Sequence, residues 1–287
     1  MKLGVFASFI TPTATPDTIL DIGKRVDEMG LDSLWMGEHV VIFDEMEFGY
    51  PGTPDGKLPI PEGGGLPETV VTLAYLAGTT KNIRFGTGVT LLPQRNPIYT
   101  AKEFATLDYL TGGRVDLGLG VGWCKEEVLA CGNKFEDRGA RTDEIIDLMK
   151  MLWTQPVTDY NGKYFQVKGV RMDPKPVQKP HIPLIVGGFS PPAIRRAVRV
   201  GAGWLGFGIN PEITKQLIAG FEAALSAAGR TRDSFEIIVT PGTVNAEDVR
   251  QFKDLGVDRL VPLMDTSTPE AIDGRFKELE EFAKIVA

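Results

Sequence analysis

Two apolar patterns alternate along the whole chain. Short runs rich in Val, Ile, Leu and Phe recur, and behind each comes a longer stretch with apolar residues three and four apart. The first pattern reads as a strand buried on both faces and the second as an amphipathic helix. Strands are predicted at 3–9, 33–39, 83–92, 114–123, 183–188, 203–208, 235–242 and 259–264. The helix after the first strand puts Ile19, Ile22, Val26 and Met29 on one face, and a later one puts Ile213, Leu217, Phe221 and Leu225 on one face. Gly30, Gly112, Gly201, Gly229 and Gly256 fall where helices are expected to stop. Eight such pairs within 287 residues predict an α/β fold of the (β/α)8 TIM barrel type, as one domain over residues 1–287. A doubly wound open sheet is the alternative, since it gives the same βαβα order. The count of eight and the chain length favour the barrel.

Two stretches interrupt the alternation. Residues 40–67, after the second strand, are long and rich in Pro and Gly, and they follow the strand end where barrel chemistry sits. They are a candidate lid, with a plain surface loop as the alternative. Residues 157–178, after the fourth strand, contain DYNGKYF, where Asn161-Gly162 signals a hairpin turn. These are the expected insertions after strands 2 and 4.

The run RVDLGLGVGW (114–123) carries glycine at every second position. A dinucleotide fingerprint fails in either register, because Trp123 or Lys125 stands where the third glycine belongs. An alternating strand fits instead. Val115, Leu117, Leu119 and Val121 would face the helices, and Gly118, Gly120 and Gly122 the barrel interior. The third strand shows the same asymmetry, with Phe85, Thr87 and Val89 set against Gly86 and Gly88. Two neighbouring strands without inward side chains would leave room for a flat ring. The alternative is ordinary packing, with larger residues of other strands filling the space.

Composition narrows the class. Lys and Arg number 31 against 38 Asp and Glu, a net charge of −7, which argues against a general nucleic-acid binder. No apolar run has the length of a membrane span. MKLGVFASF reads as a first strand rather than a signal peptide. Cys124 and Cys131 have no metal spacing and read as reduced thiols. The expectation is a cytoplasmic enzyme acting on a small molecule, with no nucleic-acid or membrane partner.

Candidate chemistry centres on His39, one of two histidines. It ends the second strand beside Glu38, and its charge can change near neutral pH, which suits proton transfer. His181 precedes the fifth strand at the opposite face and is given a structural role. VGGFSPPAI (186–194) takes a strand through Gly187-Gly188 to Ser190 and a helix start, a phosphate-site signal or simple helix capping. Glu38 with Glu126 or Glu127 could form a glycosidase-like pair. No metal motif is present in the sequence.

Taken in order, LDSLWMGEH (31–39), IRFGTGVTLLPQRNP (83–97), GGRVDLGLGVGW (112–123) and IPLIVGGFSPPAIRRAVRVGAGW (182–204) resemble the bacterial luciferase-like oxidoreductase family, most of all its branch using the deazaflavin coenzyme F420. FMN-using members share the scaffold. The resemblance implies F420 as cofactor, with FMN the alternative, and hydride transfer to or from a small organic substrate. An FMN-dependent monooxygenase fed by a separate reductase and a non-enzymatic carrier are the other readings. It implies that His39 is a proton donor or ring partner, that Glu38 faces the pocket, and that a non-prolyl cis peptide at Gly88-Val89 backs the ring with Thr90 beside it. Gly122 and Trp123 would line the cofactor side chain, and Gly187, Gly188 and Ser190 its phosphate. Family members are often dimers, so a homodimer is an expectation. A sugar-phosphate dehydrogenase branch has a catalytic glutamate where Trp123 stands, and an aromatic residue that Phe43 matches only loosely. Sugar-phosphate oxidation is therefore not expected.

Overall fold

The computed structural model describes residues 1–53 and 55–287. In chain order the first half comprises β1 Lys2–Leu3, β2 Val5–Ala7, α1 Pro16–Glu28, β3 Ser33–Met36, α2 Thr69–Ala77, β4 Arg84–Thr87, β5 Thr90–Leu91, α3 Pro97–Thr111, β6 Val115–Gly120, α4 Lys125–Ala130 and α5 Arg138–Thr154. The second half comprises β7 Thr158–Asn161, β8 Gln166–Val170, β9 Leu184–Gly187, α6 Pro191–Val200, β10 Gly203–Phe207, α7 Pro211–Ala227, β11 Glu236–Thr240, α8 Ala246–Asp254, β12 Arg259–Leu260, β13 Leu263–Met264 and α9 Pro269–Val286.

The main sheet runs β1-β12-β11-β10-β9-β6-β4-β3-β2-β13, with β5 added against β6, and every pairing in it is parallel. β1 and β2 are one strand interrupted at Gly4, and β12 and β13 are one interrupted at Val261-Pro262. Between them a continuous ladder runs, from the N–H of Lys2 to Asp258 O, Gly4 to Leu260 O and Phe6 to Pro262 O, at 2.8, 2.8 and 2.9 Å. The sheet therefore curls until its two edges meet. Parallel strands need helical crossovers, and these cover the outer face. Val115, Leu117 and Leu119 of β6 and Phe85 of β4 pack outward into the helix layer, as the alternation predicted.

The interior is filled in layers. At the N-terminal ends of the strands Arg259, 2% exposed, meets Asp116 at 2.8 Å, Glu236 at 2.9 Å and Asp32 at 3.1 Å. Arg84 pairs with Asp116 at 2.5 Å, and Lys2 lies 3.8 Å from Glu236. Three cations thus face three carboxylates, the arrangement that lets charges be buried. Above this cluster sits an apolar layer of Phe6, Trp35, Ile185, Leu205, Ile238 and Val261, with the Arg259 guanidinium 5.6 Å from the Trp35 ring centre.

The inward glycines serve this layer. A Cβ at Gly86 would run into the Trp35 indole, and one at Gly118 into the Thr87 carbonyl. A Cβ at Gly120 would stand 2.6 Å from Val89, and one at Gly187 2.7 Å from Val89. Gly118 and Gly120 do face inward, but the Thr87 carbonyl and the Val89 side chain stand where their side chains would be. Val89 departs from the expected alternation and points into the interior, where the strand breaks between β4 and β5; the Gly88-Val89 peptide is cis. Gly122 lies beyond β6 with φ +75°, so it turns the chain instead of lining the interior.

Three smaller expectations are corrected. The buried stripe of α7 is Thr214, Ile218, Phe221 and Leu225, while Ile213 is 44% exposed and Leu217 only partly buried. Gly201 ends α6 in extended backbone (φ −75°) and not in the left-handed form. The β7–β8 hairpin is not closed by a two-residue turn at Asn161-Gly162. Asn161 pairs with Gln166, and the Glu144 carboxylate on α5 accepts the N–H groups of Lys163, Tyr164 and Phe165.

The ion cluster gives a test. Burial alone would raise the Asp116 carboxyl, but the hydrogen bond from Arg84 and the charges of Arg259 and Arg84 outweigh it and hold it below the usual value. Such a carboxylate adds stability above its unfolded pKa of about 3.9, and that stability is lost as pH falls through the folded value. Asp116→Asn should cost about 3–5 kcal/mol at neutral pH, because it leaves the buried Arg259 and the half-buried Arg84 short of a partner. Urea midpoints of the two proteins should converge below about pH 4. A gap that persists in acid would contradict this account.

Candidate active site

At the C-terminal ends of the strands the interior opens into a cavity of about 450 Å³. Its floor and walls include Phe6, Gly37, Gly88, Val89, Leu205 and Phe207 of the sheet. Tyr50, Pro51, Leu58, Pro59, Ile60 and Leu66 cover it from the segment between β3 and α2. That segment is tied down at several points. Thr11 exchanges backbone and side-chain hydrogen bonds with Gly65. The N–H of Glu47 donates to Glu126 at 2.9 Å, and Lys125 pairs with Glu47 at 2.5 Å. The lid expected from sequence therefore lies over the cavity.

His39 lines the cavity, and its Nδ1 is 3.0 Å from Glu127 Oε2. Glu127 lies in the first turn of α4 with its side chain fully buried. Its other oxygen accepts the N–H of Val40 at 2.6 Å. Burial works to raise the Glu127 carboxyl, but the hydrogen bond and charge of His39, with the Val40 N–H, outweigh it and leave it below the usual value. An ionised carboxylate only accepts, so Nδ1 carries the proton and Nε2 is the ring nitrogen left for a ligand. The edge of the Trp123 ring meets His39 at 5.8 Å between centres, and Tyr50 of the lid meets Trp123 at 5.4 Å.

Glu38 also borders the cavity, but it is engaged on both oxygens. Oε1 accepts from Arg95 Nε at 2.7 Å and Oε2 accepts the Leu91 N–H at 2.6 Å. Arg95 is shared with Glu68 and with Glu103, the latter at 3.0 Å. Burial pushes the Glu38 carboxyl up, and it also opposes the charge on Arg95. The charge and hydrogen bonds of Glu38, then those of Glu68, outweigh it and hold Arg95 above its usual value. With the guanidinium charged and the Leu91 N–H also donating, the pair is ionised. Glu38 thus holds the turn after Val89 in place and is not a free acid or base. With Glu38 and Glu127 both committed, and Glu126 half-buried and accepting the Glu47 N–H of the lid, the glycosidase-like pair has no geometry to support it.

The other expected site residues divide. Gly88, Val89, Trp123, Gly187 and Gly188 line the cavity. Thr90 is fully buried behind its wall, with an Oγ1 that finds no partner among the described residues. Gly122 turns the chain beside Gln94. Ser190 is the N-cap of α6, accepting the Ala193 N–H at 3.4 Å, and Pro191 and Pro192 follow, so the helix start itself offers few donors. Gly188 has φ +103° and its carbonyl accepts from Trp204 Nε1 at 2.9 Å. His181 sits away from the cavity, with Nδ1 2.7 Å from Ile182 O and its ring beside Trp153. The sequence offers Glu127 only as one half of a glycosidase-like pair and does not reveal it as the partner of His39. The available signal was its place in the first turn after a strand whose end faces the same side as His39.

The sequence model of the luciferase-like monooxygenase family matches residues 1–281, and the chain belongs to that family. An uncharacterized protein of Mycobacterium tuberculosis is 31% identical over 273 residues, covering 93% of each chain. An F420-dependent glucose-6-phosphate dehydrogenase of Microbacterium testaceum is 32% identical over 231 residues, 78% of this chain and 63% of its own. The structure of an F420-dependent secondary alcohol dehydrogenase in complex with an F420–acetone adduct is similar with a TM-score of 0.80. It is 19% identical, covering all of this chain and 99% of the other, a likeness of fold. The chain is thus an α/β oxidoreductase-family protein with F420-dependent enzymes among its relatives.

The His39–Glu127 pairing is open to direct observation, since the chain has only two histidines. The imidazole nitrogen chemical shifts of His39 should report an Nδ1–H ring, and Glu127→Gln should abolish that single tautomer while leaving the His181 signals in place. A His39 spectrum unchanged by the substitution would contradict the assignment.

Proposed function

We propose that this protein is an F420-dependent oxidoreductase that moves a hydride between the deazaflavin and a small organic substrate. The observation that carries the reading is a histidine of fixed tautomer facing an apolar cavity at the C-terminal edge of the curled sheet. The F420-dependent relatives support the choice of cofactor. The sheet is taken to be a (β/α)8 barrel, with the lid and the β7–β8 hairpin as its insertions after the second and fourth strands.

The cavity suits such a cofactor. Its walls at Gly37, Gly88 and Val89 are bare backbone and aliphatic carbon, with Leu205 and Phe207 beside them, which suits a flat uncharged ring. The loop of Gly187, Gly188 and Ser190 would hold the phosphate, by backbone N–H groups and the Ser190 hydroxyl. When bound, the deazaflavin supplies or accepts the hydride at its C5. The protein's part is to hold and move the accompanying proton. His39 Nε2 gives or takes it, and Glu127 keeps the ring oriented and stabilises the imidazolium. Glu38 and Arg95 act by position, through Leu91 and the wall beside it. Tyr50, Leu58, Ile60 and Leu66 of the lid exclude water.

An FMN-dependent monooxygenase is the second reading, favoured by the family's description. Titration of the full chain with F420 and with FMN, read by cofactor fluorescence, separates the two. F420 should bind at least about tenfold more tightly, a difference of about 1.4 kcal/mol. Tighter FMN binding would favour the monooxygenase, and binding of neither would end both readings. With F420 bound, His39→Ala should lower kcat by about 10²–10⁴-fold, the usual contribution of a positioned acid or base. Cofactor affinity should persist. Unchanged turnover would remove His39 from the chemistry.

A further inference from the structure

Glu127 is a fully buried carboxylate, and while His39 is neutral it has no counterion. His39 offers it an Nδ1–H at 3.0 Å and Val40 a backbone N–H at 2.6 Å. These are two neutral donors for a group with about four lone-pair sites. The other ionisable groups near it bring no balancing charge. The Cys124 and Cys131 thiols at the two ends of α4 are pushed up by burial and by the charge on Glu127, so they stay neutral. Lys125 and Glu126 are turned to Glu47 of the lid. Glu38 carries a charge of the same sign, and Arg95 is already shared by Glu38, Glu68 and Glu103. A carboxylate buried on these terms stays ionised when further N–H groups donate to it.

One buried donor stands ready. Gln94 is 8% exposed, and neither its amide nitrogen nor its amide oxygen finds a partner among the described residues. It closes the short helical turn Leu92–Gln94, which packs against α4 and α5. Glu38 pins that turn at both ends, through the Leu91 N–H at 2.6 Å and the Arg95 guanidinium at 2.7 Å. The amide faces the start of α4, since a Cβ at Gly122 would stand 3.8 Å from Gln94 Nε2 and 3.7 Å from Val128 Cγ2. Burial raises the Glu127 carboxyl, and His39, then the Val40 N–H, then the Gln94 side chain lower it. Gln94 thus stands against Glu127 without closing a hydrogen bond of full geometry. A buried donor and a buried acceptor left unsatisfied side by side are each costly, and a bond between them satisfies both.

We propose that Gln94 is a positioning residue of this site: its side-chain N–H donates to Glu127 and, through Glu127, fixes the ring of His39. The consequence follows from the proton count of the pair. When Nε2 takes a proton, the imidazolium either keeps both protons or passes the Nδ1 proton to Glu127. A third N–H donor makes the carboxylate the weaker base, so the proton stays on Nδ1 and the ion pair persists. Without that donor the Nδ1 proton moves toward Glu127, and the ring loses its fixed orientation. Glu38, through the turn it pins, thereby acts on His39 as well. This role in the chemistry rests on the proton exchange proposed above for His39, whereas the hydrogen bond itself does not depend on the cofactor.

The test begins with the full chain and no cofactor. In nuclear magnetic resonance spectra at neutral pH, one Gln94 side-chain proton should lie downfield of a free amide and move upfield in Glu127→Gln. The Glu127 carboxyl, followed with carbon-13 glutamate and assigned by its loss in Glu127→Gln, should titrate below the usual value of about 4.3. Gln94→Met keeps the side-chain length and removes the amide, a change that packing tolerates. It should raise that midpoint by about one pH unit. Gln94→Glu sets a second carboxyl there and should raise it further. A glutamine that merely packs would move neither signal. With F420 bound, Gln94→Met should lower kcat by about tenfold and leave cofactor affinity in place. A Gln94 proton unmoved by Glu127→Gln, or a Glu127 midpoint unmoved in Gln94→Met, would overturn the hydrogen bond. Both effects with an unchanged kcat would overturn its role in positioning His39. Unchanged turnover in His39→Ala would instead overturn the function on which that role rests.

Discussion

The indole of Trp35 determines what the interior of the curled sheet can hold. It lies across the lumen between the ion cluster and the cavity, and it occupies the space that a side chain at Gly86 would need. Its Nε1 is satisfied by Ser33 at 2.9 Å, so the ring is buried without a lost hydrogen bond. Below it Arg259 and Asp116 close the N-terminal end with paired charges. Above it the apolar layer ends in Phe6, Leu205 and Val89, and that surface is the cavity floor. Close packing forbids half-measures here, since interiors tolerate few voids. The space left open lies at the C-terminal edge, where the lid closes over it.

Charge is distributed to the same end. At the closed face, the buried ions Arg259 and Asp116 meet each other and flanking groups of opposite charge. At the open face each buried carboxylate has a task of position. Glu38 holds Leu91 and Arg95, and Glu127 holds His39 and Val40. Both therefore act through their neighbours, and in the proposed function His39 is the group left to exchange a proton with a ligand. The bond from Val40 to Glu127 also links the root of the lid to the orientation of the histidine, so the covering segment and the imidazole share one anchor.

Most of the scaffold was legible because strands buried on both faces must be apolar, and their helices must be amphipathic. All eight predicted strand positions contain a strand of the sheet, with ends displaced by a few residues. The reading weakened where tertiary contacts override local pattern. Alternation put Val89 outside, but the broken strand turns it in. Periodicity alone could not choose between Ile213–Leu217 and Thr214–Ile218 on α7, because both stripes lie on adjacent faces. An Asn-Gly pair promised a tight turn, but Glu144 from another element captures the loop. The inward direction of Gly118 and Gly120 was legible, yet what stands against them is the Thr87 carbonyl and the Val89 side chain, from elsewhere in the chain. His39 and its position were visible in the sequence. Its partner was not, since nothing local ties residue 127 to residue 39.

The central claim is that a deazaflavin occupies this cavity and meets His39. A crystal structure of the protein with F420 tests it most directly. The account predicts the ring beside Gly88 and Val89, under the lid, with His39 Nε2 as its nearest protein proton donor. A ring bound outside the cavity, or one whose nearest titratable neighbour is not His39, would contradict it.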